Sequence, residues 1–317
     1  LEEADDSIAC TSGMAAIGLC LELFEEESHI LCTEDLYGGT VRMFESIGGK
    51  RGVTFSYVDT SDIELVRKSI RKETKALYIE TPSNPTMKVT DFAAMREIAD
   101  EYGLLIIADN TFLTPYFQKP LTLGADLVVH SGTKFLGGHN DVLAGFVCIK
   151  GKGLSEKFRY TYKTVGCCLP PFDSFLVLRG IKTLSVRLER QQENAKKIAL
   201  WLKDRPEVKA VYYTGLPEHP GYEINQKQAS GCGSMISFKV DSEKRARKLL
   251  ESVKLISYAE SLGGVESLIT YPMLQTHGDV PVETRERLGI TEDFLRMSVG
   301  IENAEDLIAD LEQALAE

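Results

Sequence analysis

An uninterrupted apolar run that ends in a carboxylate constrains the fold of this chain more than any other feature of its sequence. Residues 104–109 read LLIIAD, so Asp109 directly follows the apolar positions. Apolar runs without polar alternation are typical of parallel strands that are buried on both faces. Because ligands bind at the carboxyl edge of open α/β sheets, Asp109 is predicted to lie at a ligand site. A helix cap or a turn would suit this aspartate equally well.

Strand and helix patterns alternate through the first half of the chain. Residues 5–22 read as a polar turn followed by an apolar-periodic helix. Further strands are predicted at 29–32, 53–58, 76–80, 104–109, 126–130 and 145–149, with helices at 62–71 and 91–102. This alternation is typical of βαβ units and predicts a mostly parallel sheet.

A long helical pattern at about 174–202, interrupted at Gly180, leads into a second region. Strands are predicted there at 208–213, 234–240, 267–271 and 294–298, and helices at 242–252 and 304–316. We therefore expect a large domain over residues 1–187 and a smaller C-terminal α/β domain over 188–317. The sheet of the smaller domain is expected to lean toward antiparallel pairing.

Lys134 follows the strand predicted at 126–130, within the sequence HSGTKFLGG. A lysine that forms a Schiff base must be neutral at working pH, so it must be desolvated or lie near other positive charge. Ser131 and Thr133, two residues apart, could both direct hydroxyls toward a phosphate. A lone lysine after a strand is usually solvated, but the upstream carboxylate of Asp109 favours a chemical role for this one.

Seven blocks of sequence, in order along essentially the whole chain, carry a family resemblance. They are TSGMAA at 11–16, DLYGGT at 35–40, ETPSNP at 80–85, ADNTF at 108–112, SGTK at 131–134, AESLGG at 259–264 and LRMSVG at 295–300. In these blocks the chain resembles the pyridoxal-phosphate (PLP) enzymes of Cys/Met metabolism, the group of cystathionine γ-synthases, β-lyases and γ-lyases. The resemblance implies an α/β, PLP-dependent transferase fold of type I, like that of aspartate aminotransferase, and pyridoxal 5'-phosphate as cofactor.

One end of the implied cofactor site is an anion site. Ser12, Gly13 and Met14 lie at a predicted helix N-terminus, where free N–H groups and the helix dipole favour an anion. The resemblance implies that the amides of Gly13 and Met14, with the hydroxyls of Ser131 and Thr133, hold the cofactor phosphate. A plain serine N-cap would use the same residues, so this pattern alone leaves both interpretations open.

The resemblance also assigns contacts around the cofactor ring. Lys134 is implied to bind the aldehyde and to move protons, and Asp109 to hold the pyridinium N–H, which makes the ring a stronger electron sink. Tyr37 is implied to stack on the ring and to serve in proton transfer, although a surface tyrosine in a turn is the alternative. Asn84 is implied to bond the ring hydroxyl oxygen, and Thr111, beside Asp109, is a weaker candidate.

Three further residues are candidates for substrate binding. Arg296 corresponds to a carboxylate-binding arginine of the family, and its planar fork suits an α-carboxylate, although most arginines form surface salt bridges. Ser261 is implied to contact the same carboxylate or Lys134. Glu260 is implied to receive the distal ammonium of cystathionine. Gly39 stands where methionine γ-lyases have a reactive cysteine, which disfavours that activity.

The exact reaction stays open between γ-synthase, β-lyase and γ-lyase. Reactions at Cγ require loss of a Cβ proton in addition to the Cα proton, whereas β-elimination does not. The segment TYPMLQTH at 270–277 resembles bacterial synthase-like members, so we lean toward γ-synthase, acting on O-acylhomoserine and cysteine. Methionine γ-lyase and O-acetylhomoserine sulfhydrylase are less favoured. A PLP aminotransferase would share Lys134 and Asp109 but not Glu260 with the SLGG run.

Composition limits the partners of the chain. A net charge of −11, with no basic run interleaved with aromatics, argues against nucleic acids and anionic membranes. The seven cysteines form no C-x-x-C pair and the five histidines have no metal-ligand spacing, so no metal is predicted. No stretch approaches the roughly 18 apolar residues of a membrane span. We expect a cytoplasmic enzyme with a small sulfur amino acid as substrate.

Assembly is inferred from the resemblance alone. Family members are homotetramers, dimers of dimers with shared active sites, and the same is expected here. In the family, a Tyr-x-Arg motif crosses the dimer interface to the phosphate of the neighbouring cofactor. This chain starts with Leu1 and Glu2 and has no such motif in the matching place. We therefore expect that the sequence is a fragment of a longer protein and that the N-terminal arm is missing from the large domain.

Overall fold

The computed structural model describes residues 1–278 and 280–316. Its larger sheet has seven strands in the order β1-β7-β6-β5-β4-β2-β3. These are β1 (Asp6–Cys10), β2 (His29–Thr33), β3 (Thr54–Val58), β4 (Thr74–Glu80), β5 (Leu105–Asp109), β6 (Leu127–Ser131) and β7 (Gly145–Ile149). Strands β6, β5, β4, β2 and β3 pair in parallel, whereas β7 is antiparallel to β1 and β6. The predicted mostly parallel sheet is confirmed.

Helices cover both faces of this sheet, which explains the continuous apolar runs. They are α1 (Gly13–Leu21), α2 (Gly38–Met43), α3 (Ile63–Ser69), α4 (Phe92–Tyr102), α5 (Thr114–Phe117) and α6 (Lys152–Val165). Neighbouring residues of one strand pack into different apolar clusters: Ile107 packs with α1, and Ile106 packs with α4. Both faces of β5 are therefore buried, as expected for a strand without polar alternation.

The second sheet has five strands in the order β10-β11-β12-β9-β8. The remaining elements are α7 (Pro171–Ile181), α8 (Leu184–Lys203), β8 (Val208–Tyr212), α9 (Tyr222–Gln228), β9 (Met235–Val240), α10 (Glu243–Ser252), β10 (Ser257–Tyr258), β11 (Leu268–Thr270), α11 (Val282–Leu288), β12 (Phe294–Ser298) and α12 (Ala304–Ala316). Only β10 and β11 pair in parallel among the described strands of this sheet. The predicted boundary at 187/188 falls inside α8 and stays a prediction, and residue 317 lies outside the described residues.

One local prediction is wrong. Residues 5–22 do not form a turn and a helix alone, because Asp6–Cys10 form β1, whose pairing with the distant β7 gives no local sequence signal. The helical pattern predicted at about 174–202, with its break at Gly180, is two helices, α7 and α8, which are separated at Lys182 and Thr183. Helices α2, α5, α6, α9 and α11 and the two-residue β10 had no prediction.

The helices of this chain are short or strongly polar relative to a membrane span. Within residues 1–278 and 280–316, no helix combines the length and the apolarity that crossing a bilayer requires. The longest, α8, has 20 residues and carries many charged side chains. This finding concerns the helices of the described chain alone.

The carboxyl ends of the parallel strands bring distant segments to one edge of the larger sheet. Asp109 ends β5 and Glu80 ends β4, and their paired positions in the parallel register make them neighbours. Ser131 ends β6 and leads into the turn that carries Lys134. Ser12 follows β1 at the start of α1. Residues from four strand ends therefore meet at this edge.

Helix α7 packs against the turn that carries Lys134. A Cβ atom on Gly180 would lie 2.2 Å from the carbonyl oxygen of Gly137 and 2.8 Å from that of Leu136. No side chain fits at such distances without moving either the helix or the turn. The glycine that interrupts the helical pattern in the sequence is therefore a point of close backbone contact.

We expect Gly180→Ala to lower the free energy of unfolding by about 1–3 kcal/mol, because overpacking strains a fixed backbone contact. The matched control is Gly153→Ala in α6, where an added Cβ meets nothing within 4 Å. That variant should be neutral or more stable by up to about 1 kcal/mol, since alanine favours a helix over glycine. Urea unfolding measures both, and equal stabilities of the two variants would contradict the close contact at Gly180.

Candidate active site

A cavity of about 340 Å³ lies at the carboxyl edge of the larger sheet. Every residue predicted for the site lines it: Ser12, Gly13, Met14, Tyr37, Asn84, Asp109, Thr111, Ser131, Thr133, Lys134, Glu260, Ser261 and Arg296. The lining also includes residues that the sequence analysis did not select: Ile17, Glu80, Phe112, Leu143, Leu262 and Thr276. The larger sheet and the segments around β10 and β12 thus enclose one chamber, and the roles of its residues stay predictions.

The N-terminus of α1 forms one end of the cavity. Ser12 caps the helix, because its Oγ accepts the backbone N–H of Ala15 at 3.1 Å. A Cβ on Gly13 would lie 3.0 Å from the Cβ of Ser131, so the glycine lets the end of β6 approach the helix N-terminus. The plain N-cap interpretation of Ser12 therefore holds, and it is compatible with an anion at the free N–H groups of the first turn.

Thr133 sits beside this end with its hydroxyl already engaged. Its Oγ accepts the backbone N–H of Ala144 at 3.1 Å and donates to the carbonyl of the same residue at 3.3 Å. These two contacts fix the side chain against the segment before β7. A phosphate at this end of the cavity would compete with the carbonyl of Ala144 for the hydrogen bond that the Thr133 hydroxyl donates.

Asp109 is held by the residue two positions after it. Thr111 donates both its backbone N–H, at 3.0 Å, and its hydroxyl, at 2.6 Å, to Oδ1 of Asp109. The Thr111 hydroxyl in turn accepts the backbone N–H of Ser131 at 2.9 Å. Burial raises the pKa of Asp109, and the two hydrogen bonds from Thr111 oppose that rise. Thr111 therefore orients the carboxylate and links it to the end of β6.

Lys134 has the electrostatic character that its predicted chemistry requires. Burial lowers the pKa of its amine to about 8, the positive charge of Arg296 lowers it as well, and the charge of Glu260 opposes the change. Its Nζ donates to Oγ of Ser261 at 3.1 Å. Because the two residues are 127 positions apart, this contact joins the turn after β6 to the loop after β10. The amine is oriented and readily deprotonated near neutral pH.

Arg296 lies in β12 with only 1% of its surface exposed, which excludes a surface salt bridge. Its guanidinium donates to Oδ1 of Asn84 at 2.8 Å and to the backbone oxygens of Glu260 at 3.1 Å and Ser261 at 3.3 Å. Burial lowers its pKa to about 10, so it stays charged at neutral pH. Its Nε is buried and has no partner among the described residues. That orphaned donor suits an anionic ligand.

Tyr37 and Glu80 form a second connection at the rim. Tyr37 is 38% exposed, and its backbone N–H donates to Oε2 of Glu80 at 3.0 Å. Glu80 is only 6% exposed and is a site residue that the sequence analysis does not select. Its sequence signal is the same as that of Asp109, since each carboxylate ends a buried parallel strand, β4 and β5.

The residues present fit pyridoxal phosphate. The N-terminus of α1 and the hydroxyl of Ser131 suit its phosphate, the buried carboxylate of Asp109 suits a pyridinium N–H, and the amine of Lys134 suits its aldehyde. The raised pKa of Asp109 indicates a carboxylate that a cationic partner would stabilise. Across the described ranges, no group of three or more His, Cys, Asp or Glu side chains is arranged to hold a metal ion.

The lowered pKa of Lys134 predicts a pH-dependent stability of the cofactor-free protein. Between about pH 8 and pH 10.5, its ordinary value, the unfolded chain binds more protons at this lysine than the folded chain does. The stability contributed by this residue therefore rises with pH through that window. Lys134→Met should be more stable than the wild type below pH 8, and the difference should shrink as the pH approaches 10.5.

Urea unfolding across this pH range measures the difference. Lys152→Met is the matched control, because the side chain of Lys152 is 91% exposed and lies outside the cavity. A constant difference between Lys134→Met and the wild type would mean that the amine of Lys134 titrates as in water.

Comparison with known proteins extends these observations. Residues 1–316 match the family model described as Cys/Met metabolism PLP-dependent enzyme. The chain is 50% identical over 315 residues to a cystathionine gamma-lyase of Bacillus subtilis, an alignment that covers 99% of this chain and 83% of the relative. It is 46% identical to a cystathionine beta-lyase of Coxiella burnetii, with 99% and 82% covered. A crystal structure of cystathionine gamma-lyase from Lactobacillus plantarum complexed with L-serine matches with a TM-score of 0.97 and 43% identity, covering 99% and 83% of the two chains.

Most relatives at 45–50% identity bear the names of cystathionine lyases. A further Bacillus subtilis relative, 46% identical with 100% and 81% covered, is named cystathionine gamma-synthase/O-acetylhomoserine (thiol)-lyase. These names do not support the lean toward γ-synthase that was based on residues 270–277. They do support the class of PLP-dependent C–S lyases, with pyridoxal phosphate as the cofactor. The chain belongs to the Cys/Met metabolism PLP-dependent enzyme family.

Proposed function

We propose that this enzyme cleaves cystathionine and that γ-elimination, which releases cysteine, is its main reaction. The observation that carries the proposal is the contact of the Lys134 amine with Ser261 in the cavity that Arg296 also lines. A base and a receptor for the α-carboxylate are thus joined through one loop. The γ-lyase of Bacillus subtilis, at 50% identity, supports γ-elimination over β-elimination.

Arg296 orients the substrate. Its buried guanidinium, already aligned by Asn84, offers the orphaned Nε to the α-carboxylate, which is why we assign this role to it. Fixing the carboxylate holds Cα of the amino acid at a set position in the cavity. Asn84 belongs to the turn after β4, so substrate binding draws on both sheets.

Lys134 is the base. When bound, pyridoxal phosphate supplies the electron sink that makes loss of the Cα proton feasible. Lys134, neutral in part at working pH, takes that proton, and Ser261 keeps its amine directed into the cavity. A γ-elimination also requires removal of a Cβ proton, which the same amine can take only after it has passed on the proton from Cα. Asp109, fixed by Thr111, would hold the ring nitrogen of the bound cofactor.

Glu260 is proposed to select a substrate with a second ammonium group. Its side chain is exposed at the rim of the cavity, while its backbone oxygen is fixed by Arg296 at 3.1 Å. The carboxylate is therefore anchored close to the carboxylate receptor yet free to meet the distal end of a long amino acid. Cystathionine carries an ammonium there, and methionine does not.

The γ-synthase reaction is the second candidate. Thr276, from the segment that resembles synthase-like members, lines the cavity, so that segment contributes to the site. A synthase would join an O-acylhomoserine to cysteine instead of cleaving cystathionine. The same residues could serve either direction, since both require proton transfer at Cα and Cβ.

The test is to incubate the PLP-loaded enzyme with cystathionine alone and to identify the products. Cysteine with 2-ketobutyrate supports the proposal, whereas homocysteine with pyruvate identifies a β-lyase. Intact cystathionine, together with its formation from O-acylhomoserine and cysteine, would favour the synthase.

Glu260→Gln should raise KM for cystathionine about tenfold with a small effect on kcat, because a rim charge binds substrate and transition state alike. The exposed Glu97→Gln is the matched control.

We also propose that the active form is a homotetramer in the cytoplasm. An exposed apolar face on α7 supports assembly: Phe172, Phe175 and Leu178 are 68%, 59% and 64% exposed, and the two phenylalanine rings stack at 6.5 Å. Leu143, which lines the cavity, is 64% exposed as well. Large apolar patches of this kind mark interfaces. The free thiols of all seven cysteines favour a reducing compartment.

Charge on the apolar face of α7 should break the assembly. We expect the double variant Phe172→Glu, Phe175→Glu to give smaller species than the wild type in native mass spectrometry, because burying two carboxylates in an interface is costly. The control is Leu200→Glu on α8, 45% exposed, which should assemble like the wild type. A wild-type monomer that turns over cystathionine would contradict the proposed tetramer.

A further inference from the structure

Glu80 is a buried carboxylate that the proposed chemistry has not used. It lines the cavity at the end of β4, beside Asp109 in the parallel register with β5. Its own backbone N–H donates to the hydroxyl of Thr33 at 3.3 Å, which fixes the strand end between β2 and β5. The side chain is therefore placed by the sheet and is not free to swing into solvent.

The partner of Glu80 is the backbone of Tyr37. Oε2 of Glu80 accepts the Tyr37 N–H at 3.0 Å, at the residue that precedes α2. The Tyr37 side chain makes no capping hydrogen bond, and 38% of the residue is exposed. The carbonyl of Tyr37 accepts the N–H of Thr40 at 2.8 Å. Glu80 thus fixes the backbone N–H of Tyr37, while the carbonyl of Tyr37 already belongs to the first turn of α2.

Two carboxylic acids at adjacent strand ends do not both ionise easily in a buried site. Like charges at close range disfavour each other, and burial disfavours any charge. Asp109 receives two hydrogen bonds from Thr111, whereas the described contact of Glu80 is the one from Tyr37. Burial first, and the charge of Asp109 second, raise the pKa of Glu80 well above its ordinary value. The proton is therefore better placed on Glu80.

We propose that Glu80 is a positioning residue: an uncharged acid that fixes the backbone of Tyr37 at the rim of the cavity and leaves the negative charge of this edge to Asp109. A neutral acid accepts the Tyr37 N–H through an oxygen without competing with Asp109 for a cationic partner. Fixing the N–H of Tyr37 fixes the start of α2 and therefore the backbone position from which the tyrosine side chain extends. The proposal shares Tyr37 with the proposed function but depends on no particular substrate.

The test compares Glu80→Gln with Glu80→Met by their affinity for pyridoxal phosphate, measured by titrating the cofactor-free proteins. Glutamine is neutral and keeps an acceptor oxygen, so its dissociation constant should stay within about twofold of the wild type. Methionine has a similar volume, but its thioether is only a weak hydrogen-bond acceptor, so the dissociation constant of this variant should rise about five- to tenfold. The exposed Glu97→Met is the control for loss of a carboxylate elsewhere.

A double-mutant cycle with Tyr37→Ala separates positioning from general stability. The loss of affinity caused by Glu80→Met should disappear when the tyrosine ring is absent, whereas a purely structural loss would persist. The proposal is overturned if Glu80→Gln weakens binding as much as Glu80→Met, or if the Glu80→Met effect is unchanged in the Tyr37→Ala background. If Glu80→Met does not fold, Glu80→Gln decides alone: retained affinity supports an uncharged acceptor, and lost affinity overturns it. A protein that binds pyridoxal phosphate as expected but leaves cystathionine intact would count against the proposed function and not against this role.

Discussion

The desolvation of one amine, that of Lys134, is the constraint on which the rest of the site depends. An ammonium group that can lose its proton near neutral pH needs low polarity or neighbouring positive charge, and here both act, through burial and through Arg296. Neither sheet provides this environment by itself. Lys134 comes from the turn after β6, while Ser261 and Arg296 come from the loop after β10 and from β12. The cavity therefore lies where the two sheets meet.

The charges around this amine are arranged by burial and by hydrogen bonds more than by ion pairs. Arg296 stays charged in a buried strand because Asn84 and two backbone oxygens accept hydrogen bonds from its guanidinium. Asp109 is stabilised by Thr111, and Glu80 is better neutral beside it. A buried site with several titratable groups stays stable when each charged group has polar partners and the remaining acid keeps its proton. These arrangements leave a basic amine, a buried guanidinium and a buried carboxylate in one cavity.

Much of the fold and of the cavity lining could be predicted from the sequence, for physical reasons. The run ending at Asp109 reveals a strand buried on both faces, and a strand end in a parallel sheet is a ligand edge whatever the ligand. The site residues predicted around Lys134 line a single cavity, because the strand order of the larger sheet brings the carboxyl ends of its parallel strands together. Strand β1 was not predictable, since its pairing with β7 is purely tertiary. The hydrogen bond of Tyr37 to Glu80 and that of Arg296 to Asn84 span 43 and 212 positions, and no local pattern encodes them.

The role of Lys134 is tested by identifying the lysine that carries the cofactor. The protein is loaded with pyridoxal phosphate, treated with borohydride to make the attachment permanent, and digested for peptide mass spectrometry. We expect a stoichiometric pyridoxyl modification on the peptide that contains Lys134. Modification of a different lysine, or binding of the cofactor without covalent attachment, would contradict it.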